Sequence, residues 1–208
     1  MTAPREVPGG RAVVGPVPAG RDPDAYDRLR RRVLWSMPSG LYVLGTRAGT
    51  TRNLMTTSWA SQVAVEPKLL GIGVEATSVS HALIDDGGIF ALSLLPRSQR
   101  VLVRRFAKPV ADAAFDEVTG AGTMEGEPVH AATTGAPILD VAVAWLDCEV
   151  RHTLVLGSHT WFVGEVVDCG QDVPDAGDLP DAGDLPDGAG PAADGVLRME
   201  DTRMNYGG

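Results

Sequence analysis

The chain has 208 residues, and its size and charge already exclude several classes of protein. It carries 18 Lys and Arg against 27 Asp and Glu, a formal net charge of −9. Nucleic acids and anionic membranes bind basic surfaces, so this balance argues against both as main partners. No run of about eighteen uninterrupted apolar residues occurs, so we expect no transmembrane helix. Residues 1–20 have no compact apolar core followed by a cleavage site, so we expect no signal peptide, and we expect a cytoplasmic location.

The first helix is predicted after residues 1–21, which we expect to form a flexible leader. Asp22-Pro23-Asp24 is a helix-start signal, with an acidic cap and a proline that the first turn tolerates. The apolar residues that follow recur at helical spacing: Tyr26, Leu29, Val33 and Met37. Pro38-Ser39-Gly40 is predicted to end this helix. We interpret residues 22–170 as one domain.

Strands dominate the rest of that domain. The predicted strands are Leu41–Thr46, Leu54–Val65, Leu69–Val74, Ile89–Leu95, Val141–Leu156 and Thr160–Val167. Two helices are predicted between them, Ser80–Asp86 and Arg97–Ala107. Residues 112–137 are predicted to form loops. Regular hairpins with few helices are typical of a closed or partly closed antiparallel barrel, so we expect a mainly β fold of this kind.

An acidic repeat occupies residues 171–195. Pro174-Asp-Ala-Gly-Asp-Leu179 is followed at once by the identical Pro180-Asp-Ala-Gly-Asp-Leu185. Low hydrophobicity and high acidity predict a disordered loop. Calcium binding is the alternative, but each unit carries only two carboxylates and no bidentate glutamate follows. Residues 196–208 are expected to form a final strand and a C-terminal tail.

Cysteine and histidine do not indicate a metal site. Cys148 and Cys169 both lie in apolar, strand-like segments, so buried free thiols are favoured over a disulfide. The four histidines lie far apart in the sequence, at His81, His130, His152 and His159. The chain also lacks a Walker loop, a G-x-G-x-x-G after a strand and a G-x-S-x-G elbow.

A polar segment, Asn53-Leu-Met-Thr-Thr-Ser-Trp59, interrupts what otherwise reads as buried strand. A buried polar group without a partner costs about 1–3 kcal/mol, so these side chains need hydrogen-bond partners. Two sources are open: the neighbouring backbone, or a ligand with many acceptors and a flat apolar ring.

Three further segments contain residues that bind ligands in other proteins. The loop from Glu75 to His81 is rich in hydroxyls and runs into a helix, which suits a phosphate, although Ser78 or Ser80 is also a plain cap. Arg105 is either an anion-binding guanidinium or a surface arginine. His159, at a hairpin corner, donates a hydrogen bond, shuttles a proton or is simply solvated. Together with the polar segment, these three suit FMN.

The order of motifs resembles the flavin reductase-like family, the FMN-binding split-barrel proteins that include the reductase components of two-component flavin monooxygenases. The matching segments span about residues 30–170 and are Ser39–Thr46, Asn53–Trp59, Val65–Leu70, Ser78–Ile84, Phe90–Ser93, Arg104–Ala107, Gly135–Leu139, Leu146–Val150 and Gly157–Val166. The resemblance implies a Greek-key split β-barrel that forms a homodimer, with the flavin near the dimer interface.

The resemblance also implies roles for individual residues. Those implied to line the flavin ring and its ribityl chain are Asn53, Met55, Thr56, Thr57, Ser58 and Trp59. Those implied at the phosphate are Thr77, Ser78 and His81, and those implied to complete the pocket are Ser93, Arg105 and Phe106. His159 falls where the family has the histidine of its Gly-Asp-His corner, near the nicotinamide. Ser158 replaces the aspartate there, so that the orienting carboxylate is missing.

The function implied is that of an NAD(P)H-dependent flavin reductase, which passes a hydride from NADH or NADPH to FMN or FAD. Its reduced flavin would supply a flavin-dependent monooxygenase or another acceptor. The alternative is an FMN-binding electron carrier or sensor that does not turn over nicotinamides. A third reading is a ligand-free barrel whose dimer surface serves protein contacts.

Overall fold

The computed structural model describes residues 15–171 and 195–202. Within these described residues the chain divides into two compact units, residues 15–38 and residues 39–171 with 195–202. The predicted leader is described only from residue 15 onward. Nearly all of the predicted acidic loop, residues 172–194, lies outside the described residues, as do residues 203–208 of the C-terminal tail.

Three α-helices are present in the described chain: α1 (Pro23–Trp35), α2 (Val79–Gly87) and α3 (Leu102–Arg105). The predicted start of α1 is confirmed, because Asp22 caps it by accepting the Ala25 N–H at 2.8 Å. The predicted helix at Ser80–Asp86 is also confirmed as α2, and Gly88 follows its last turn in a left-handed conformation. None of the described helices is long and apolar enough to span a membrane.

The strands form two antiparallel sheets. They are β1 (Tyr42–Ala48), β2 (Thr51–Thr57), β3 (Ala60–Ala64), β4 (Leu69–Glu75), β5 (Ile89–Leu94), β6 (Ala113–Asp116), β7 (Ala121–Met124), β8 (Glu127–Ala131), β9 (Pro137–Leu139), β10 (Ala144–Leu156) and β11 (His159–Gln171). The seven-stranded sheet has the order β2-β1-β5-β10-β11-β4-β3, and the four-stranded sheet has the order β6-β7-β8-β9.

The large sheet must curl, because its two edge strands are consecutive in the chain. Only Ser58 and Trp59 join β2 to β3. Seven strands about 4.8 Å apart make a flat sheet about 29 Å wide, which two linking residues cannot span. The sheet is therefore a barrel split between β2 and β3, with a core that includes Leu44, Ile72 and Phe162. The predicted mainly β, antiparallel split barrel is confirmed.

Two of the predicted segments are wrong in ways that affect the site. The single strand predicted at Leu54–Val65 is two strands, β2 and β3, which belong to opposite edges of the sheet. The loops predicted at residues 112–137 contain the four-stranded sheet instead. The turn between β7 and β8 places Glu125 at φ 51° and Gly126 at φ 78°, which suits a two-residue hairpin loop.

The long helix predicted at Arg97–Ala107 is also wrong. A 3-10 turn covers Arg97–Gln99, and α3 is one short turn. The carbonyl groups of Val103 and Phe106 accept hydrogen bonds from Thr56 of β2. Tertiary pairing with β2 therefore uses the acceptors at the end of this segment.

The C-terminal segment crosses the end of the barrel. Isolated bridges join Arg198 to Gly40 and Val196 to Pro96, where the sequence predicts a final strand. Leu197, between them, is fully buried and donates its N–H to the carbonyl of Leu95 at 2.8 Å. The segment is thus fixed to the residues just before β1 and to those that follow β5.

Both cysteines are free, as predicted, but only Cys148 is buried. Cys169 is exposed, so the expectation that it is buried is wrong. It lies near the end of β11, where the strand no longer faces the barrel core.

Candidate functional site

Asn53, the first residue of the polar segment, has its hydrogen bonds supplied by the protein. It is 3% exposed. Its side-chain amide donates to the Ser80 hydroxyl at 2.9 Å, and its Oδ1 accepts the Val110 N–H at 2.9 Å. Ser80 is fully buried in the first turn of α2. Asn53 therefore ties β2 to α2 and to the segment that leads into the small sheet.

Thr56 is also satisfied within the protein. Its hydroxyl donates to the Val103 carbonyl at 2.7 Å, and its N–H donates to the Phe106 carbonyl at 2.9 Å. Of the two sources of partners that the sequence leaves open, the protein itself supplies those of Asn53 and Thr56. Protein groups satisfy both side chains, and both residues fix the position of β2.

Two hydroxyls at the end of the segment remain available. The Thr57 hydroxyl accepts the Trp59 N–H at 3.3 Å, which leaves its own proton uncommitted. The Ser58 hydroxyl makes no hydrogen bond within the described chain, although the residue is only 7% exposed. Met55, earlier in β2, packs against the core while partly exposed. The donors that a ligand can use therefore lie at the split of the barrel.

Trp59 and His159 meet at this corner. Their ring centroids are 4.4 Å apart with an interplanar angle of 40°. The indole lies across Gly73 of β4, where a Cβ would approach its ring to 2.9 Å, so only glycine leaves room for it. Trp59 is 40% exposed. We call Thr57, Ser58, Trp59 and His159 the corner cluster.

The predicted phosphate residues lie at the start of α2. Ser78 caps the helix: its hydroxyl accepts the His81 N–H at 3.1 Å and donates to the Glu75 carbonyl at 2.8 Å. The His81 ring turns toward β11, where its Nε2 lies 2.7 Å from the Thr160 hydroxyl. Thr77 is exposed, and its hydroxyl makes no hydrogen bond within the described residues. Of the three predicted phosphate residues, Thr77 is therefore the one whose side chain remains available to a ligand.

The remaining predicted pocket residues contact other parts of the chain. The Ser93 hydroxyl accepts the Leu139 N–H at 3.1 Å. Arg105 forms an ion pair with Glu127 of the small sheet. Phe106 is fully buried. Ser93 and Arg105 thus bind the small sheet, and the Arg105 charge is already paired.

The sequence reasoning missed two residues that support this region, Ser80 and Thr160. Each is buried and hydrogen-bonds a predicted site residue, Asn53 and His81 respectively. Thr160 could have been found from the sequence, because it lies two positions from Phe162 in β11 and therefore shares the inward face of the strand.

Two buried titratable side chains lie elsewhere, beneath the loop between β8 and β9. Burial raises the pKa of Asp147, although its carboxylate accepts the Thr134 N–H at 2.7 Å and the Thr134 hydroxyl at 2.5 Å. Burial beside Asp147 raises the pKa of the Cys148 thiol to about 12. Asp147 holds the loop between β8 and β9 through Thr134, and Cys148 is part of the hydrophobic core. Neither residue belongs to the corner cluster. Within the described residues, no three acidic, cysteine or histidine side chains converge on a point that could hold a metal ion.

The comparisons with known proteins agree with one another. The family model "Flavin reductase like domain" matches residues 34–182. The NADH-dependent FAD reductase of Streptomyces globisporus is 31% identical over 145 residues, which are 69% of this chain and 76% of that protein. Diflavin flavoprotein A 1 of Synechocystis sp. is 27% identical over 148 residues. The match covers 71% of this chain and 24% of that protein, so this chain spans about a quarter of the diflavin flavoproteins it matches.

A solved structure shows the same likeness in three dimensions. The styrene monooxygenase flavin reductase from Pseudomonas putida superposes with a TM-score of 0.56 at 26% identity. The superposition covers 68% of this chain and 87% of that one. Since the family model matches well over half of the sequence, the chain belongs to the flavin reductase-like family.

Proposed function

We propose that this protein is an NAD(P)H-dependent flavin reductase, which transfers a hydride from a reduced nicotinamide to FMN or FAD. Its reduced flavin supplies a flavin-dependent monooxygenase or another acceptor. The observation that carries the proposal is the corner cluster, in which two uncommitted hydroxyl donors lie beside the exposed indole of Trp59 and the half-buried imidazole of His159. The relative from Streptomyces globisporus, named as an NADH-dependent FAD reductase, supports the same activity.

The corner cluster suits a flavin ring in the kinds of groups it offers. A flavin has hydrogen-bond acceptors along its ring edge and two apolar faces. Thr57 and Ser58 supply donors for such an edge, and Trp59 supplies an aromatic surface. When bound, the flavin supplies the redox chemistry by accepting the nicotinamide hydride.

The rest of the site positions these groups. Asn53 and Thr56 hold β2 in place through the hydrogen bonds described above. Thr77 and the start of α2 offer a hydroxyl and a helix N-terminus to the flavin phosphate. Arg105 is not assigned to the phosphate, because Glu127 already neutralises it. His159 is assigned to the nicotinamide side, and hydride transfer itself requires no proton donor.

Oxidation of NADH and NADPH with added FMN or FAD tests this function. We expect steady turnover with at least one combination of donor and flavin. Absence of turnover with all four combinations would contradict the proposal. The alternative, an FMN-binding electron carrier or sensor, is favoured by Ser158, which stands where the family has a carboxylate. Flavin that stays bound through gel filtration while neither donor is oxidised would support that alternative.

We also propose that the protein forms a homodimer. β10 pairs with β5 only as far as Glu149, so its outer half pairs with β11 alone and has a free edge. That outer half carries exposed apolar side chains: Leu154, Val155 and Leu156. A second copy of the chain would cover this surface, because isolated exposed strand edges favour association.

Light scattering during gel filtration tests the dimer. Val155→Asp places a charge in the exposed apolar strand, so we expect it to convert a dimer into a monomer. Val118→Asp is the matched control, since Val118 is 94% exposed in the turn between β6 and β7. A monomeric wild-type protein, or a dimer unaffected by Val155→Asp, would contradict the proposal.

A cytoplasmic location is proposed as well, on the support that both cysteines are free.

A further inference from the structure

Ser158 is the hydrogen-bond partner of the His159 ring. Its hydroxyl lies 2.9 Å from Nδ1 of the imidazole. Glu75 faces His159 across the β4–β11 ladder, but its carboxylate makes no hydrogen bond to the ring. Within the described chain, Nε2 of His159 makes no hydrogen bond. The ring therefore has one nitrogen held and one nitrogen available.

The backbone fixes Ser158 in this position. Its carbonyl accepts the Ala76 N–H at 3.0 Å, and this hydrogen bond joins the hairpin tip to the loop before α2. Gly157, just before it, has φ 61°, a left-handed conformation that glycine adopts without strain. His159 begins β11 and is paired with Leu156 and Glu75 on its two sides. The contact between the hydroxyl and the ring thus joins two well-placed residues.

Trp59 restrains the same ring from another direction. Its indole contacts the imidazole at 4.4 Å between centroids, and Gly73 leaves the space for the indole beneath. A single hydrogen bond fixes one atom of a ring, whereas a ring contact limits its rotation. The two contacts together define which nitrogen stays free.

A hydroxyl and a carboxylate orient histidine differently. A carboxylate only accepts, so it fixes the proton on Nδ1 and leaves Nε2 as an acceptor. A serine hydroxyl also donates, and donation to Nδ1 leaves the proton on Nε2. The replacement of a carboxylate by Ser158 therefore changes what the free nitrogen offers to a substrate.

We propose that Ser158 is a positioning residue that donates to Nδ1 of His159 and thereby presents Nε2–H as a donor to the carboxamide oxygen of the nicotinamide substrate. The inference rests on the proposed function for its substrate, but not for the state of the ring. The tautomer is a property of the protein without flavin or nicotinamide.

The test begins with nitrogen-15 NMR of the full chain labelled at histidine, since the chain has only four histidines. His159→Gln identifies the His159 signals by their loss. We expect the Nε2–H pattern in the wild type, a mixture of tautomers in Ser158→Ala, and the Nδ1–H pattern in Ser158→Asp. Ser158→Thr retains the hydroxyl and is expected to keep the wild-type pattern. Thr50→Asp, in the exposed β1–β2 turn, is the control for an added carboxylate and is expected to change nothing.

Steady-state kinetics complete the test. Ser158→Ala removes the hydrogen bond that positions the His159 ring. We therefore expect it to raise KM for the nicotinamide about 2- to 10-fold, with a smaller change in kcat. A wild-type Nδ1–H ring, or a Ser158→Ala protein with unchanged tautomers or unchanged KM, would overturn the inference. A wild type that oxidises neither donor contradicts the proposed function, and the NMR result then decides the ring orientation alone.

Discussion

Trp59 and His159, which are a hundred positions apart in the chain, lie in ring contact at the split of the barrel, with centroids 4.4 Å apart. Trp59 ends the polar segment and lies between β2 and β3, and His159 is the first residue of β11. The contact joins one residue implied to bind flavin with one implied to face the nicotinamide.

Trp59→Leu removes the indole from the corner cluster. Aromatic contacts contribute about 0.5–1.5 kcal/mol beyond area burial, so we expect flavin affinity to fall about 2- to 10-fold. Equilibrium titration with FMN and FAD, followed by flavin fluorescence, measures the change. Trp35→Leu is the control, because Trp35 is exposed to a similar extent, 42%, but belongs to the other unit. Equal affinities for wild type and Trp59→Leu would remove Trp59 from the site.

Thr56→Val and Ser58→Ala distinguish a side chain that supports the fold from one that is available to bind a ligand. Thr56→Val keeps the side-chain shape but deletes the hydrogen bond to Val103, so the free energy of unfolding should fall by about 1 kcal/mol. Ser58→Ala deletes a hydroxyl without a partner in the described chain, so we expect little change in stability and weaker flavin binding. Urea unfolding and flavin titration on both variants make the comparison. The reverse pattern would mean that Ser58 supports the fold and Thr56 binds the ligand.

The two thiols are predicted to differ in reactivity. Cys148 is fully buried and its pKa is raised to about 12, so almost none of it is thiolate at neutral pH. Cys169 is exposed. A thiol reagent should therefore modify one cysteine per native chain and two after denaturation, and Cys169→Ser should leave none reactive in the native state. Rapid modification of both thiols in the native protein would show that Cys148 is accessible.

Asp147 makes stability depend on pH. Burial raises its pKa in the folded state above that in the unfolded chain. A group of this kind contributes stability that is full below the unfolded pKa and is lost as pH rises through the folded pKa. Asp147→Asn removes this loss while keeping an acceptor for Thr134. Relative to wild type, the variant should therefore gain stability as the pH rises above the ordinary range of an aspartate pKa, as measured by urea unfolding. A relative loss over the same rise in pH would contradict the direction of the shift.

The long, strongly patterned elements could be predicted from the sequence. The start of α1 was readable because Asp22 and Pro23 act locally, through a cap and a first-turn proline. The long hairpin of β10 and β11 was readable because apolar residues persist on both sides of the tight corner at Gly157. Local chemistry decides such features, so one sequence is enough.

Features that depend on distant residues were not readable. The break at Ser58 and Trp59 arises because β2 and β3 pair with different partners, β1 and β4. The strands of the small sheet are only three to five residues long and rich in alanine and glycine, so they carry little periodic signal. The partners of Asn53 and Thr56 likewise come from remote segments. The polar segment indicated the right part of the fold, but its side chains Asn53 and Thr56 serve the fold itself.

Hydride transfer is measured most directly by the absorbance spectrum of the flavin-loaded protein, recorded without oxygen before and after NADH or NADPH is added. We expect at least one of the donors to bleach the visible flavin band, and we expect Trp59→Leu to weaken the flavin loading that precedes it. A band that persists with both donors while flavin stays bound would rule out the reductase and leave an electron carrier in its place.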